Sequence, residues 1–213
     1  MLVNERMSHP VITVSPDTPI MDALRLMESE HIRRAPVVKD GKLVGIVAQK
    51  DLLNASPSPV TTLSVWEIHD LVSKITVKRV MTPHVITVNE DTPLEEAARL
   101  MADHKIGGLP VLHHDRITGI ITETDLFKTF LEMLGAREKG VRLSALVANK
   151  PGEIAQMSQA IFEAGGNIVA LGTFAGDDLT TAILTLKVVG LSEARLQEVV
   201  KPMVERIKDI RTC

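Results

Sequence analysis

Two segments of the chain repeat one arrangement of apolar and polar positions. Ile20, Ala23, Leu24 and Met27 fall at i, i+3, i+4 and i+7, and Leu94, Ala97, Ala98 and Met101 follow the same spacing. Each set predicts a helix with one buried face. Thr18 and Thr92 stand where N-caps are expected, with Pro19 and Pro93 at the first helical position. Downstream, Pro36–Val38 and Leu43–Val47 flank Lys39-Asp40-Gly41-Lys42, whose Asp-Gly step predicts a hairpin. Ala55–Pro59 reads as a Ser/Pro-rich loop, and Ser64–Ile75 as a connecting helix with Val65, Ile68, Leu71, Val72 and Ile75 on one side.

The two segments are copies. An ungapped offset of 74 lays Met7 on Met81, VITV at 11–14 on VITV at 85–88, DTP at 17–19 on DTP at 91–93, and Asp51-Leu52 on Asp125-Leu126. Each copy reads as strand, helix, strand, strand, helix. Two copies are too few for a solenoid, so a pseudo-twofold pair is expected, each copy covering the other's apolar face.

After Gly135 the pattern changes. Val141–Ala148 reads as a strand, Asn149-Lys150-Pro151-Gly152 as a turn, and Ile154, Met157, Ile161 and Ala164 as a helical face ended by Gly165-Gly166. Asn167–Phe174 and Thr180–Val188 form the next hairpin. A last helix follows Ser192, with Leu196, Val199, Val200 and Met203 inward, and Pro202 predicts its early end or a kink. Ile207–Thr212 is a candidate final edge strand. The expected order is βαββαβ, a ferredoxin-like arrangement.

Composition narrows the function. A formal net charge of -3 supplies no basic face for nucleic acid, and one Trp, four Phe and no Tyr leave few stacking platforms. The only cysteine is Cys213, which fits a reducing cytosol. The opening MLVNERMSHP lacks a signal peptide's apolar core, and no stretch reaches a membrane span. A cytoplasmic protein with no membrane or nucleic-acid partner is expected.

The repeated M-(S/T)-x-x-VITV, DTP, PVV or PVL, and G-I-(V/I)-x-x-x-D-L resemble CBS domains over about residues 1–135. The stretch LSALVANKPGEI with GGNIV resembles the ACT domain. The order of the three, with LSVWEIHDLVSKI between the repeats, is similar to the acetoin-utilisation protein B family. The resemblance implies an α/β (α+β) architecture: CBS repeat 1 at 1–62, CBS repeat 2 at 63–135, and a ferredoxin-like ACT domain at 136–213. It also implies a homodimer formed through the CBS and ACT domains.

For sites, the resemblance points to an adenosine nucleotide (AMP, ADP, ATP or S-adenosylmethionine) as regulatory ligand. Thr122 and Asp125 match the phosphate- and ribose-facing positions, with the adenine slot around Met7 and Ile12 of the opposite repeat. Thr122-x-x-Asp125 is equally a capping-box-like pair that satisfies helix N–H groups. In the first repeat Asp51 remains but Ala48 replaces the hydroxyl, so the Asp125 site is expected to be the tighter. Arg33 and Arg34 precede Ala35-Pro36, where Arg34 can reach phosphates or merely be solvated at a helix end. In the ACT region Asn149, Gly152, Glu153, Asn167 and Ile168 match the amino-acid-binding positions; the alternative is that Pro151-Gly152 simply makes a turn. His113-His114 reads as an exposed turn rather than a metal site, and Met7, Met27, Met81 and Met101 as core. No nucleophile–base pair emerges. The expected function is a non-enzymatic sensor that signals ligand occupancy to a regulated protein. The alternatives are an enzyme acting on a nucleotide or small acid, and a scaffold with vestigial sites.

Overall fold

The computed structural model describes residues 1–55 and 74–213. The expected connecting helix lies outside them except for its last two residues, as does most of the Ser/Pro-rich loop. The chain divides into two compact units, Met1–Leu126 and Phe127–Cys213.

In the first unit, the first repeat contributes α1 (Ile20–Ser29), a hairpin of β1 (Arg34–Lys39) and β2 (Lys42–Ala48), and α2 (Gln49–Ala55). The second contributes β3 (Val88–Asn89), α3 (Leu94–His104), β4 (Gly108–His113), β5 (Arg116–Thr122) and α4 (Glu123–Met133), which runs on past the division. The helical faces bury nearly as spaced: Ile20, Ala23, Leu24 and Met27 on α1, and Leu94, Ala97 and Met101 on α3, where Ala98 is only half-buried. Both hairpins close on two left-handed residues, Asp40 and Gly41 in one, His114 and Asp115 in the other. That is the turn twist that suits antiparallel strands.

The repeats exchange their leading segments. Val77, which opens the second repeat, is fully buried in the core of the first, and its counterpart Val3 is fully buried in the core of the second. The exchange explains two departures from the sequence reading. The helices start one residue later than expected, with Pro19 and Pro93 as N-caps and no side-chain cap. The partner segment takes over that duty: Ile20 N–H donates to Ile75 O and Leu94 N–H to Met1 O, each at about 3.0–3.1 Å. The leading VITV strand, moreover, shrinks to a single bridge at Val14 and to the two residues of β3. Its ends serve different repeats. Ser8 pairs with Ile120 while Val14 pairs with Val37, and Thr82 pairs with Ile46 while Val88 pairs with Val111. Between those anchors the backbone crosses from one sheet to the other and cannot form a ladder.

The second unit is built from β6 (Val141–Ala148), α5 (Glu153–Glu163), β7 (Asn167–Ala175), β8 (Thr181–Val189), α6 (Glu193–Val200) and β9 (Arg206–Thr212). All pairings are antiparallel, in the order β7-β8-β6-β9, so the βαββαβ topology has β7 and β9 at its edges. Ser192 caps α6, its side chain accepting from Arg195 N–H, and the helix ends at Val200 before a 3-10 turn that contains Pro202. Met157, Ile161, Leu196 and Val200 pack on Val141, Leu143, Ala145, Val147, Leu184, Leu186 and Val188. Each such buried aliphatic contributes roughly 1.5–3 kcal/mol. Ile154 was expected on the buried face but is 45% exposed. Lys187 is buried, and its ammonium donates to Gly135 O (2.9 Å) and Glu138 O (2.6 Å). A buried amine needs such partners; here they fasten the segment after α4 to β8.

Candidate functional site

The exchange of leading segments builds a cavity of about 360 Å³ across the two repeats. From the first repeat come Arg34, Ile46, Ala48 and Asp51; from the second come Thr82, His84, Val85, Ile86 and Lys105–Gly108. The volume lies within the range of small-molecule pockets. Asp51 is placed by the first turn of α2, and its Oδ2 accepts the Ala48 N–H at 3.0 Å. That is the carboxylate's single hydrogen bond among the described residues. Arg34 and Lys105 bring positive charge to the same wall, and Ile46, Val85, Ile86 and Ile106 supply apolar surface. A carboxylate, an arginine held on Gly107 O, an exposed lysine and an aliphatic slot are what a ribose, an anionic tail and a purine each require.

The counterpart position in the second repeat is arranged differently. Asp125 is 8% exposed, and its Oδ2 accepts both the Thr122 N–H (2.9 Å) and the Thr122 hydroxyl (2.7 Å). This clasp is half of the capping arrangement read from the sequence: Asp125 takes a backbone N–H, whereas the Thr122 hydroxyl donates to the carboxylate instead of accepting from a helix N–H. Met7 lies against β5, and Ile12 follows on the stretch that crosses from there to Val14, which pairs with Val37 of the first repeat. Ser8 exchanges both backbone hydrogen bonds with Ile120, and the Met7 sulfur sits where a side chain at Gly119 would stand. Met81 does the same over Gly45.

Arg34 reaches from β1 across to the second repeat, where its Nη1 donates to Gly107 O at 2.9 Å. It is therefore neither a solvated helix-end arginine nor confined to its own repeat. His84, Lys105 and the Val85-Ile86 pair are site residues that motif reading missed. Applying the offset of 74 to Met7 and Ile12 gives Met81 and Ile86, which is the signal that would have found this wall.

In the second unit a cavity of about 460 Å³ is lined by Val147–Lys150, Glu153, Ile154, Thr173–Ala175, Thr181, Ala182 and Leu184. Asn149 borders it, with its Nδ2 donating to Leu179 O (3.1 Å) and its backbone N–H to Thr180 O (2.7 Å). Gly152 takes φ +96° as N-cap of α5, and Glu153 pairs with Lys150 at 3.2 Å. Asn167 and Ile168 are elsewhere. They pair with Val189 and Val188, whereas the Asn149 end of β6 pairs with Thr181. One copy of the chain thus holds the two groups at opposite ends of the sheet.

His113 pairs with Glu90 (3.1 Å) and stacks edge-on with His114 at the hairpin tip. Among the described residues no group of three or more His, Cys, Asp or Glu is placed to hold a metal, and no helix is long and apolar enough to cross a membrane.

The model of the CBS domain matches residues 3–58 and 77–132. A CBS domain-containing protein of Dictyostelium discoideum is 33% identical over 136 residues, 63% of this chain and 94% of that one. An inosine-5'-monophosphate dehydrogenase of Methanocaldococcus jannaschii is 35% identical over 163 residues, and the chain spans 30% of its length. Among solved structures, a CBS domain pair in complex with 5'-methylthioadenosine and S-adenosyl-L-methionine superposes with TM-score 0.52 at 31% identity, covering 65% of this chain and 98% of that one. A Vibrio cholerae protein named for acetoin utilization gives 0.53 at 34% identity, with 65% and 96% covered. The protein CBSX2 in complex with AMP gives 0.50 at 32% identity, with 61% and 96% covered.

Proposed function

The chain belongs to the CBS domain family, and on that footing we propose that it is a regulatory sensor of adenosine-containing ligands that signals occupancy to a partner protein in the cytoplasm. The observation that carries this reading is the cavity at Asp51, where a weakly engaged carboxylate, Arg34, Lys105 and an aliphatic slot converge from both repeats. Complexes of similar CBS pairs with AMP, 5'-methylthioadenosine and S-adenosylmethionine support the ligand class. Both the Asp51 and Asp125 positions are sites in this proposal. Sequence favoured Asp125 for its neighbouring hydroxyl, but the geometry favours Asp51, because the Thr122 hydroxyl already donates to Asp125.

The second unit is proposed to be an ACT domain, on its βαββαβ topology and its motif. Asn149, Gly152 and Glu153 border a cavity suited to an amino acid, whose carboxylate the N-terminus of the 11-residue α5 can receive. Asn167 and Ile168 would join that site only from a second copy, which fits a homodimer with a twofold axis. Light scattering is expected to show twice the 23.3 kDa chain mass; a monomer at micromolar concentration contradicts the dimer.

A thermal-unfolding panel with AMP, ADP, ATP, S-adenosylmethionine and the amino acids tests the function. A ligand at about 100 times its Kd adds roughly 2.7 kcal/mol of stability. An enzyme would also convert one of the panel. A chain stabilised by none of them is a scaffold, and the reading fails.

A further inference from the structure

The Asp51 cavity has an asymmetric neighbour on its inner wall. Gly107 stands where the first repeat has Arg33, and its carbonyl accepts from both Arg34 Nη1 (2.9 Å) and the Glu123 backbone N–H (3.2 Å). The missing side chain is what admits its neighbours. A Cβ at 107 would collide with the guanidinium of Arg34 and with the carboxylate of Glu123, so the two charged groups border the same space over Gly107 without closing into an ion pair. In the other repeat the position of Glu123 is the neutral Gln49, and the position of Arg34 is Gly108. The protein therefore has an arginine lining one nucleotide cavity and, beside it, a carboxylate of its own.

Resting on the reading of the Asp51 cavity as an adenosyl site, we propose that Glu123 sets the charge preference of that site. Arg34 is the guanidinium nearest a phosphate tail directed at Gly107, and the Glu123 carboxylate, unpaired among the described residues, places negative charge beside that path. A phosphate gains correspondingly less from Arg34 and also meets a like charge. Like-charge juxtaposition is how binding surfaces exclude the wrong ligand. The site thus discriminates against polyphosphate tails in favour of adenosyl ligands that carry none. Glu123 is exposed, so the discrimination is screened by salt and fades as ionic strength rises.

The test is calorimetric titration of the full chain with ATP and with 5'-methylthioadenosine, in the wild type, Glu123→Gln, Glu123→Ala and Glu123→Gln/Asp51→Ala. Gln keeps the size of the side chain, and the bond to Gly107 O comes from the backbone, so the fold has little reason to change. The expected result is a ratio of ATP to 5'-methylthioadenosine affinity that rises about three- to tenfold in both single variants at low salt. That gain shrinks at high salt and disappears with Asp51→Ala. An unchanged ratio in folded Glu123→Gln and Glu123→Ala overturns the proposal, and so does a gain that survives Asp51→Ala, which would place the carboxylate's action at the other site. A wild-type chain that binds neither ligand instead removes the adenosyl reading itself.

Discussion

The two halves of the CBS pair were cut from one pattern and do different things with it. In the first, Asp51 holds one backbone N–H and opens on a cavity with Arg34 and Lys105; in the second, Asp125 holds both the N–H and the hydroxyl of Thr122. The difference comes down to single residues on a common scaffold: Ala48 against Thr122, Arg34 against Gly108, Gln49 against Glu123. The added hydroxyl that looks like an extra ligand donor in sequence becomes an internal clasp in structure, because a carboxylate three residues away is the nearest strong acceptor. Repeats keep their packing and diverge in polar groups, since packing tolerates little change while a surface hydroxyl costs little to gain or lose.

If the two repeats share one packing, equivalent core truncations carry equal costs. Met27→Ala and Met101→Ala remove equivalent buried side chains, 0% and 3% exposed, and each should cost about 2–5 kcal/mol by urea unfolding. Equal costs confirm one scaffold twice over; a cost confined to one repeat contradicts it. The clasp gives a smaller effect. Thr122→Val is expected to lose roughly 1 kcal/mol of stability, and Ala48→Thr to recreate the clasp on Asp51 while weakening adenine-nucleotide binding there. Stronger binding in Ala48→Thr would restore the hydroxyl to the role of ligand donor.

The smallest effect contrasts the CBS pair with the second unit. The side-chain and backbone hydrogen bonds from Thr212 hold the Glu193 carboxyl below its usual range. A lowered folded-state pKa contributes stability that is present above the ordinary carboxylate range, near pH 4, and is lost as pH falls through the lower folded value. Glu193→Gln should therefore flatten the acid limb of a pH titration of β9 amide protection. An unchanged limb would show that Thr212 is held by β9 pairing alone.

Much of the fold was legible because it is local. The faces of α1 and α3, the hairpin at Asp40-Gly41, the end of α6 before Pro202 and the edge strand β9 all follow from spacing and turn chemistry. What was not legible is the exchange of Val3 and Val77, since the three-residue 3-10 turns that they open, Val3–Glu5 and Val77–Arg79, carry no mark of the repeat they will join. The same blindness moved the helix caps and hid His84 and Lys105 from the candidate site, for both enter the Asp51 cavity from the other repeat. Asp51 and Arg34, named by motif and offset, both line the cavity, whereas Asp125, named in the same way, is not among its lining residues. Asn167 and Ile168 were grouped with Asn149 by motif, and strand register separates them within one chain.

In the proposed reading, the adenosyl ligand sits at Asp51 and Asp125 is first of all a helix clasp. Calorimetry with AMP on the wild type, Asp51→Ala and Asp125→Ala tests it most directly, with circular dichroism to show that each variant is folded. Loss of a charge-assisted bond to a ribose hydroxyl is worth roughly 1.5–3 kcal/mol, or about one to two decades of affinity. The account predicts that loss in Asp51→Ala, and in Asp125→Ala a smaller change in affinity with a larger drop in stability. If folded Asp125→Ala loses the high-affinity component while Asp51→Ala retains it, the account is contradicted.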